Sequence, residues 1–109
     1  MEDLKRQVQQ LVTSAPVVLF MKGTPQFPSC GFSSRAAQVL KACGLKDFKY
    51  VNVLMEPPEV QQAVCDYGRW PTWPQLYIAG ELVGGADIMT EMYQNGELQQ
   101  KLAGVGQAA

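Results

Sequence analysis

Val17-Val18-Leu19-Phe20-Met21 is an unbroken run of apolar and β-branched side chains, the composition of a central strand covered on both faces. It runs into Lys22-Gly23, and the following Thr24-Pro25-Gln26-Phe27-Pro28-Ser29 carries two prolines and reads as a loop. Beyond the loop, Ser33 to Cys43 sets Ala36, Ala37, Val39, Leu40 and Cys43 along one face of a helix that Gly44 stops. Phe48 to Val53 alternates as a second strand, and Pro57-Pro58-Glu59 opens a short helix through Tyr67. A strand, helix and strand in that order predict two parallel strands joined by a right-handed crossover.

Outward from this unit, Leu4, Val8, Leu11 and Val12 predict an amphipathic helix over residues 2–14, which Pro16 prevents from continuing. On the other side, Gln75 to Ile78 and Glu81 to Val83 form a hairpin around Ala79-Gly80, and Gly84-Gly85 breaks it. Ile88, Met89, Met92 and Tyr93 then predict a helix, and Leu98 and Leu102 a last one after Asn95-Gly96. The tail from Gly104 is expected to fray. With no internal repeat or linker, the expectation is one α/β domain over residues 1–109, a three-layer sandwich with a four-stranded mixed sheet flanked by about five helices.

Nine basic and ten acidic side chains in 109 residues leave a net charge of −1, with no long basic run. Nucleic acid and anionic membrane surfaces are therefore not expected partners, because counterion release needs clustered Lys and Arg. Histidine is absent, which removes Ser-His-Asp and Cys-His nucleophile pairs and nearly every His-containing zinc site. Three widely spaced cysteines, Cys30, Cys43 and Cys65, and no signal-peptide pattern predict a reducing compartment. The apolar run to Met21 is far shorter than the roughly 20 residues of a membrane helix, and Met1-Glu2-Asp3 does not look like a transit peptide. A cytoplasmic protein of bacterial type is expected, although a processed organellar form would read alike.

Cys30 stands where the helix after the loop should begin, so free backbone N–H groups face it and Lys22 adds a nearby positive charge. Such positions lower a thiol pKa from about 8.5 to roughly 3.5–7.5, making Cys30 the expected nucleophile and metal ligand. The alternative, a small apolar filler, fits poorly with its neighbours Pro28, Ser29, Gly31 and Ser33. Cys30-Gly31-Phe32-Ser33 lacks the second thiol of a dithiol motif. Cys43 lies thirteen residues along the same helix, about 20 Å at 1.5 Å per residue, beyond the roughly 7 Å that a disulfide spans. Cys65 reads as a core side chain. A mixed disulfide on Cys30 then needs an outside thiol, and a metal needs outside ligands. Two copies of Cys30 and two small thiols would supply the four thiolates of a [2Fe–2S] cluster.

Two further places invite a ligand. The Trp73-Pro74 bond, ahead of a strand, is a candidate cis bond that opens the Trp73 backbone to an extended peptide, although Trp70 and Trp73 also read as ordinary core packing. Gly84-Gly85-Ala86-Asp87 leads into a helix whose N–H groups and Asp87 carboxylate suit a carboxylate and an ammonium, or simply cap the helix.

With Met21-Lys22-Gly23-Thr24-Pro25, Cys30-Gly31-Phe32-Ser33, Trp70-Pro71-Thr72-Trp73-Pro74-Gln75-Leu76-Tyr77 and Gly84-Gly85-Ala86-Asp87-Ile88 in this order and spacing, the chain resembles the monothiol glutaredoxins of the thioredoxin-fold superfamily, from the first helix to about Leu102. The resemblance implies a thioredoxin-like fold and a glutathione groove. Lys22 and Phe32 would lie beside the thiol, Thr72, Trp73 and a cis Pro74 would meet the peptide backbone, and Gly85, Ala86 and Asp87 would hold the γ-glutamyl end. It also implies a glutathione-ligated [2Fe–2S] cluster bridging a homodimer through Cys30, with apo iron–sulfur proteins, a cluster scaffold and a BolA-like protein as partners.

The chain departs from the family in three positions. Gln61 stands where relatives carry an arginine for the glycine carboxylate of glutathione, so a neutral amide replaces a charged fork. Cys65 replaces a family lysine, with Arg69 nearby, and Ala86 replaces a cysteine that can pair with the active-site thiol. The leading expectation is a carrier that passes the cluster to apo-proteins. The runner-up is a glutathione-dependent thiol oxidoreductase acting through Cys30, and a third reading is a regulatory adaptor.

Overall fold

Strand β1 (Val17–Met21) is buried along its whole length, and its alternation feeds two separate cores. Val17, Leu19 and Met21 face one side with Ala36, Leu40, Leu76, Met89, Leu98 and Leu102, while Val18 and Phe20 face the other with Val8, Val12, Val51, Val64 and Tyr77. The side-chain period of two makes one strand serve both layers. Removing the buried ring of Phe20 by substitution with alanine is expected to cost about 3–5 kcal/mol. The computed structural model describes residues 2–45 and 48–106.

The chain order is α1 (Glu2–Val12), β1, α2 (Gly31–Ala42), β2 (Lys49–Asn52), a 3₁₀ turn (Val53–Met55), α3 (Pro58–Gly68), β3 (Gln75–Ile78), β4 (Glu81–Gly84), α4 (Ala86–Asn95) and α5 (Glu97–Gly104). The sheet order is β2-β1-β3-β4. β1 pairs parallel with β2 through Leu19 and Tyr50, and antiparallel with β3 through Leu19 and Leu76, while β3 and β4 form the hairpin. The mixed four-stranded sheet with five helices is the expected architecture. α1 packs with α3, and α2 with α4.

Several boundaries differ from expectation for local reasons. α2 begins at Gly31, two residues early, because Cys30 itself caps it. The expected end of the second strand, Val53, instead opens the 3₁₀ turn, where the Asn52 Oδ1 accepts from the Leu54 N–H at 3.1 Å and bends the chain. α1 stops at Val12, and the Thr13 and Ser14 hydroxyls bond back to the carbonyls of Gln9 and Leu11. α3 starts at Pro58 with Pro57 as its cap. At the C-terminus Val105 packs against the core, and residues 107–109 of the tail expected to fray lie outside the described residues. Among the described residues no helix is long and apolar enough to cross a membrane.

Candidate functional site

The parallel pairing of β1 and β2 brings their C-terminal ends to one end of the sheet, and the loop after β1 is fastened there. Gly23 N–H donates to Asn52 Oδ1 at 3.0 Å, and Ser29 N–H to the Lys22 carbonyl at 2.9 Å. Gly23 has φ +90°, and a Cβ there would lie 2.5 Å from the Phe27 carbonyl oxygen, so glycine is required for the loop to fold back. That return places Cys30 at the cap of α2.

Cys30 is partly buried, with φ −153° and ψ 157°, and its sulfur accepts from the Ser33 N–H at 3.3 Å. Ser33 Oγ lies 3.3 Å from the sulfur and accepts from the Lys22 N–H at 3.0 Å. Ser33 is fully buried; the neutral Cys30 thiol can donate to its Oγ, and when the sulfur is a thiolate the Ser33 hydroxyl can turn its proton to Cys30 Sγ. Burial is the largest influence on the thiol and pushes its pKa up. The Ser33 hydroxyl, the Ser33 and Phe32 N–H groups and the Lys22 charge together outweigh it, and the net shift is downward. Ser33, in the place of a second thiol, therefore supports the thiolate of the first.

A cavity of about 630 Å³ opens beside this sulfur, within the range of small-ligand sites. Lys22, Cys30 and Phe32 enter it from the β1–α2 segment, Thr72, Trp73 and Pro74 from the segment before β3, and Gly85, Ala86 and Asp87 from the start of α4. The Trp73–Pro74 peptide bond is cis. Trp73 also stacks on Phe20 at 6.4 Å, so it serves the core and the cavity together. Gly85 caps α4, and Asp87 stands in its first turn. The N–H groups there favour an anion and the carboxylate favours a cation.

Gln61 is the one expected site residue that the structure does not bring to the cavity. From α3, its Nε2 donates at 3.0 Å to the carbonyl of Glu56, which lies ahead of the helix. Arg69 ends α3 at φ +53° and does not line the cavity either. Trp70, Pro71 and Ile88 line it without having been singled out as ligand residues. Also unanticipated is Arg35, whose Nη1 meets Asp87 Oδ1 at 3.1 Å and whose guanidinium sits 5.9 Å from the Phe32 ring centre. The partners are 52 residues apart in sequence, so no local spacing signals the pair. Asp87 is 84% exposed, so the ion pair contributes little to stability and can yield to a ligand cation.

The other two cysteines are of a different kind. Cys43 is buried, and burial pushes its thiol up; burial also raises Cys65, against a hydrogen bond from Gln75 and with the added effect of Asp66. Among the described residues no cluster of three or more His, Cys, Asp or Glu side chains is arranged to hold a metal ion.

Residues 17–83 match the family model described as Glutaredoxin. The chain is 51% identical over 94 residues to Glutaredoxin 4 of Escherichia coli strain K12, covering 86% of this chain and 80% of that protein. It is 53% identical over 85 residues to the probable monothiol glutaredoxin GrlA of Legionella pneumophila, covering 78% and 93% respectively. The crystal structure of a buckwheat glutaredoxin–glutathione complex superposes with a TM-score of 0.85 at 27% identity, over 99% of this chain and 94% of the other. With a single thiol at the cap of α2 and Ser33 three residues on, this chain belongs to the glutaredoxin family, as a monothiol member of the thioredoxin superfamily.

Proposed function

We propose that the chain, acting as one domain, binds glutathione beside Cys30 and carries a labile [2Fe–2S] cluster between two protomers for delivery to apo-proteins. The observation that carries this reading is Cys30 itself: a thiol held toward its thiolate at the edge of a ligand-sized cavity, with Ser33 rather than sulfur within bonding reach. One thiolate per chain supplies half of a four-thiolate set, and the thiols of two glutathiones supply the rest. Lys22 and Phe32 flank the sulfur, Thr72, Trp73 and Pro74 meet the peptide, and Gly85, Ala86 and Asp87 receive the zwitterionic γ-glutamyl end. The ligand's ammonium takes the place of Arg35 at Asp87. Gln61 serves the glycine carboxylate only if its side chain leaves the Glu56 carbonyl. A cluster scaffold as donor, apo iron–sulfur proteins as clients, a BolA-like protein as regulator and the cytoplasm as location complete the proposal.

The same thiolate favours a second activity. Cys30 attacks the glutathione sulfur of a glutathionylated protein, whose own thiolate leaves; a second glutathione thiolate then attacks the Cys30 mixed disulfide, releasing glutathione disulfide and restoring Cys30. Anaerobic reconstitution with iron, sulfide and glutathione separates the two. Visible charge-transfer bands in wild type and none in Cys30→Ser support the carrier. Fast deglutathionylation with no cluster uptake supports the enzyme and overturns the carrier.

A further inference from the structure

Gln75 is a polar residue with no exposure, at the first position of β3 and directly after the cavity-lining segment. Its Nε2 donates to the Trp70 carbonyl at 2.8 Å and to the Thr72 carbonyl at 3.3 Å, and its Oε1 accepts from the Tyr77 hydroxyl at 3.0 Å. Tyr77 is itself buried, and its hydroxyl is packed against Gly68, where a Cβ would collide with it. The Trp70 and Thr72 carbonyls can only accept, so they fix the amide nitrogen toward the loop, where it also reaches Cys65 Sγ at 3.7 Å, and leave the carboxamide oxygen for the Tyr77 hydroxyl. The indole of Trp70 is confined in turn: a Cβ on Gly85 would lie 3.2 Å from its Nε1 and 3.3 Å from the Pro74 carbonyl oxygen.

We infer that Gln75 is a positioning residue for the ligand groove: through the Trp70 and Thr72 carbonyls it holds the Trp70–Pro74 segment in the shape that receives the glutathione backbone. A segment without secondary structure of its own, tied from below at two carbonyls, is ordered before the ligand arrives, and its ordering entropy is not charged to binding. Gln75 touches no ligand. It is distinct from the sulfur side of the cavity, where Ser33 and Lys22 hold Cys30 without it. The inference rests on the glutathione reading above.

Calorimetric titration with reduced glutathione tests it on wild type, Gln75→Met and the double variant Gln75→Met/Tyr77→Phe, beside melting temperatures and the alkylation rate of Cys30 by iodoacetamide, followed by peptide mapping. Gln75→Met fills the volume but strands the Tyr77 hydroxyl, so both affinity and melting temperature fall, affinity by about tenfold through lost preorganisation. The double variant removes the Tyr77 hydroxyl together with its acceptor and regains the part of the melting temperature lost to that stranded hydroxyl, yet its affinity stays low because the Trp70 and Thr72 carbonyls remain untied. Cys30 alkylation is unchanged in both. An affinity in the double variant equal to that of wild type overturns the inference, as does a parallel loss of Cys30 alkylation; the double variant decides the matter alone if Gln75→Met does not fold. Absence of glutathione binding by wild type is a separate result, and it removes the glutathione reading together with this inference.

Discussion

The two ends of α2 carry the same side chain in opposite conditions. At its N-terminal cap Cys30 is partly open, faces backbone N–H groups and a buried hydroxyl, and is held below the ordinary thiol value. At its C-terminal cap Cys43 is buried among apolar side chains and is pushed above it. Burial is the largest influence on both, and only Cys30 has donors to outweigh it. Reactivity is thus set by which side-chain and backbone donors converge on the sulfur, and these separate a working thiol from a packing one.

Ser33→Ala should disturb this contrast most. It removes the hydroxyl donor while leaving the capping N–H in place, and the alkylation rate of Cys30 at neutral pH should fall about tenfold, the worth of one hydrogen bond to a charged group. An unchanged rate would mean that the backbone alone holds the thiolate. Cys43→Ala probes the other end: it should leave the Cys30 rate as it is and lower stability by about 1 kcal/mol in denaturant unfolding, through the small cavity left in the core. Lys22→Gln should have the smallest effect, about twofold on the Cys30 rate and fading as salt is added, because its charge acts through partly exposed surroundings. Loss of the salt dependence of alkylation in the variant would confirm that origin.

How far the sequence discloses this molecule follows the range of the interactions. β1 stands out because it is an apolar run that the sheet buries, and the cap of α2 follows from the prolines and small polar residues around Cys30. The 3₁₀ turn at Val53–Met55 is hidden because Val-Leu-Met reads as more strand until Asn52 bends it. Gln75 is missed for the opposite reason. Alternation along Gln75-Leu76-Tyr77-Ile78 would turn a glutamine toward solvent, whereas the loop carbonyls and Tyr77 give it partners inside. Arg35 and Asp87 meet only after α2 and α4 have packed together, so their pairing is a product of the tertiary structure. Gln61 illustrates the same limit, since an amide free to reach a ligand and one bonded to Glu56 share one local sequence.

The contrast also has a sign in pH. Because Cys30 titrates lower in the folded chain than in the unfolded one, its contribution to stability is present above the ordinary thiol value and is lost as pH falls through the folded value. Cys43 and Cys65 do the reverse: their contribution is present below the ordinary value and disappears as pH rises through their raised ones. The most direct test is the pH dependence of alkylation mapped separately to the three cysteines in the native protein. The midpoint for Cys30 should lie below that of a thiol in an unfolded peptide, and those for Cys43 and Cys65 above it. A Cys30 midpoint at or above the peptide value would contradict the account.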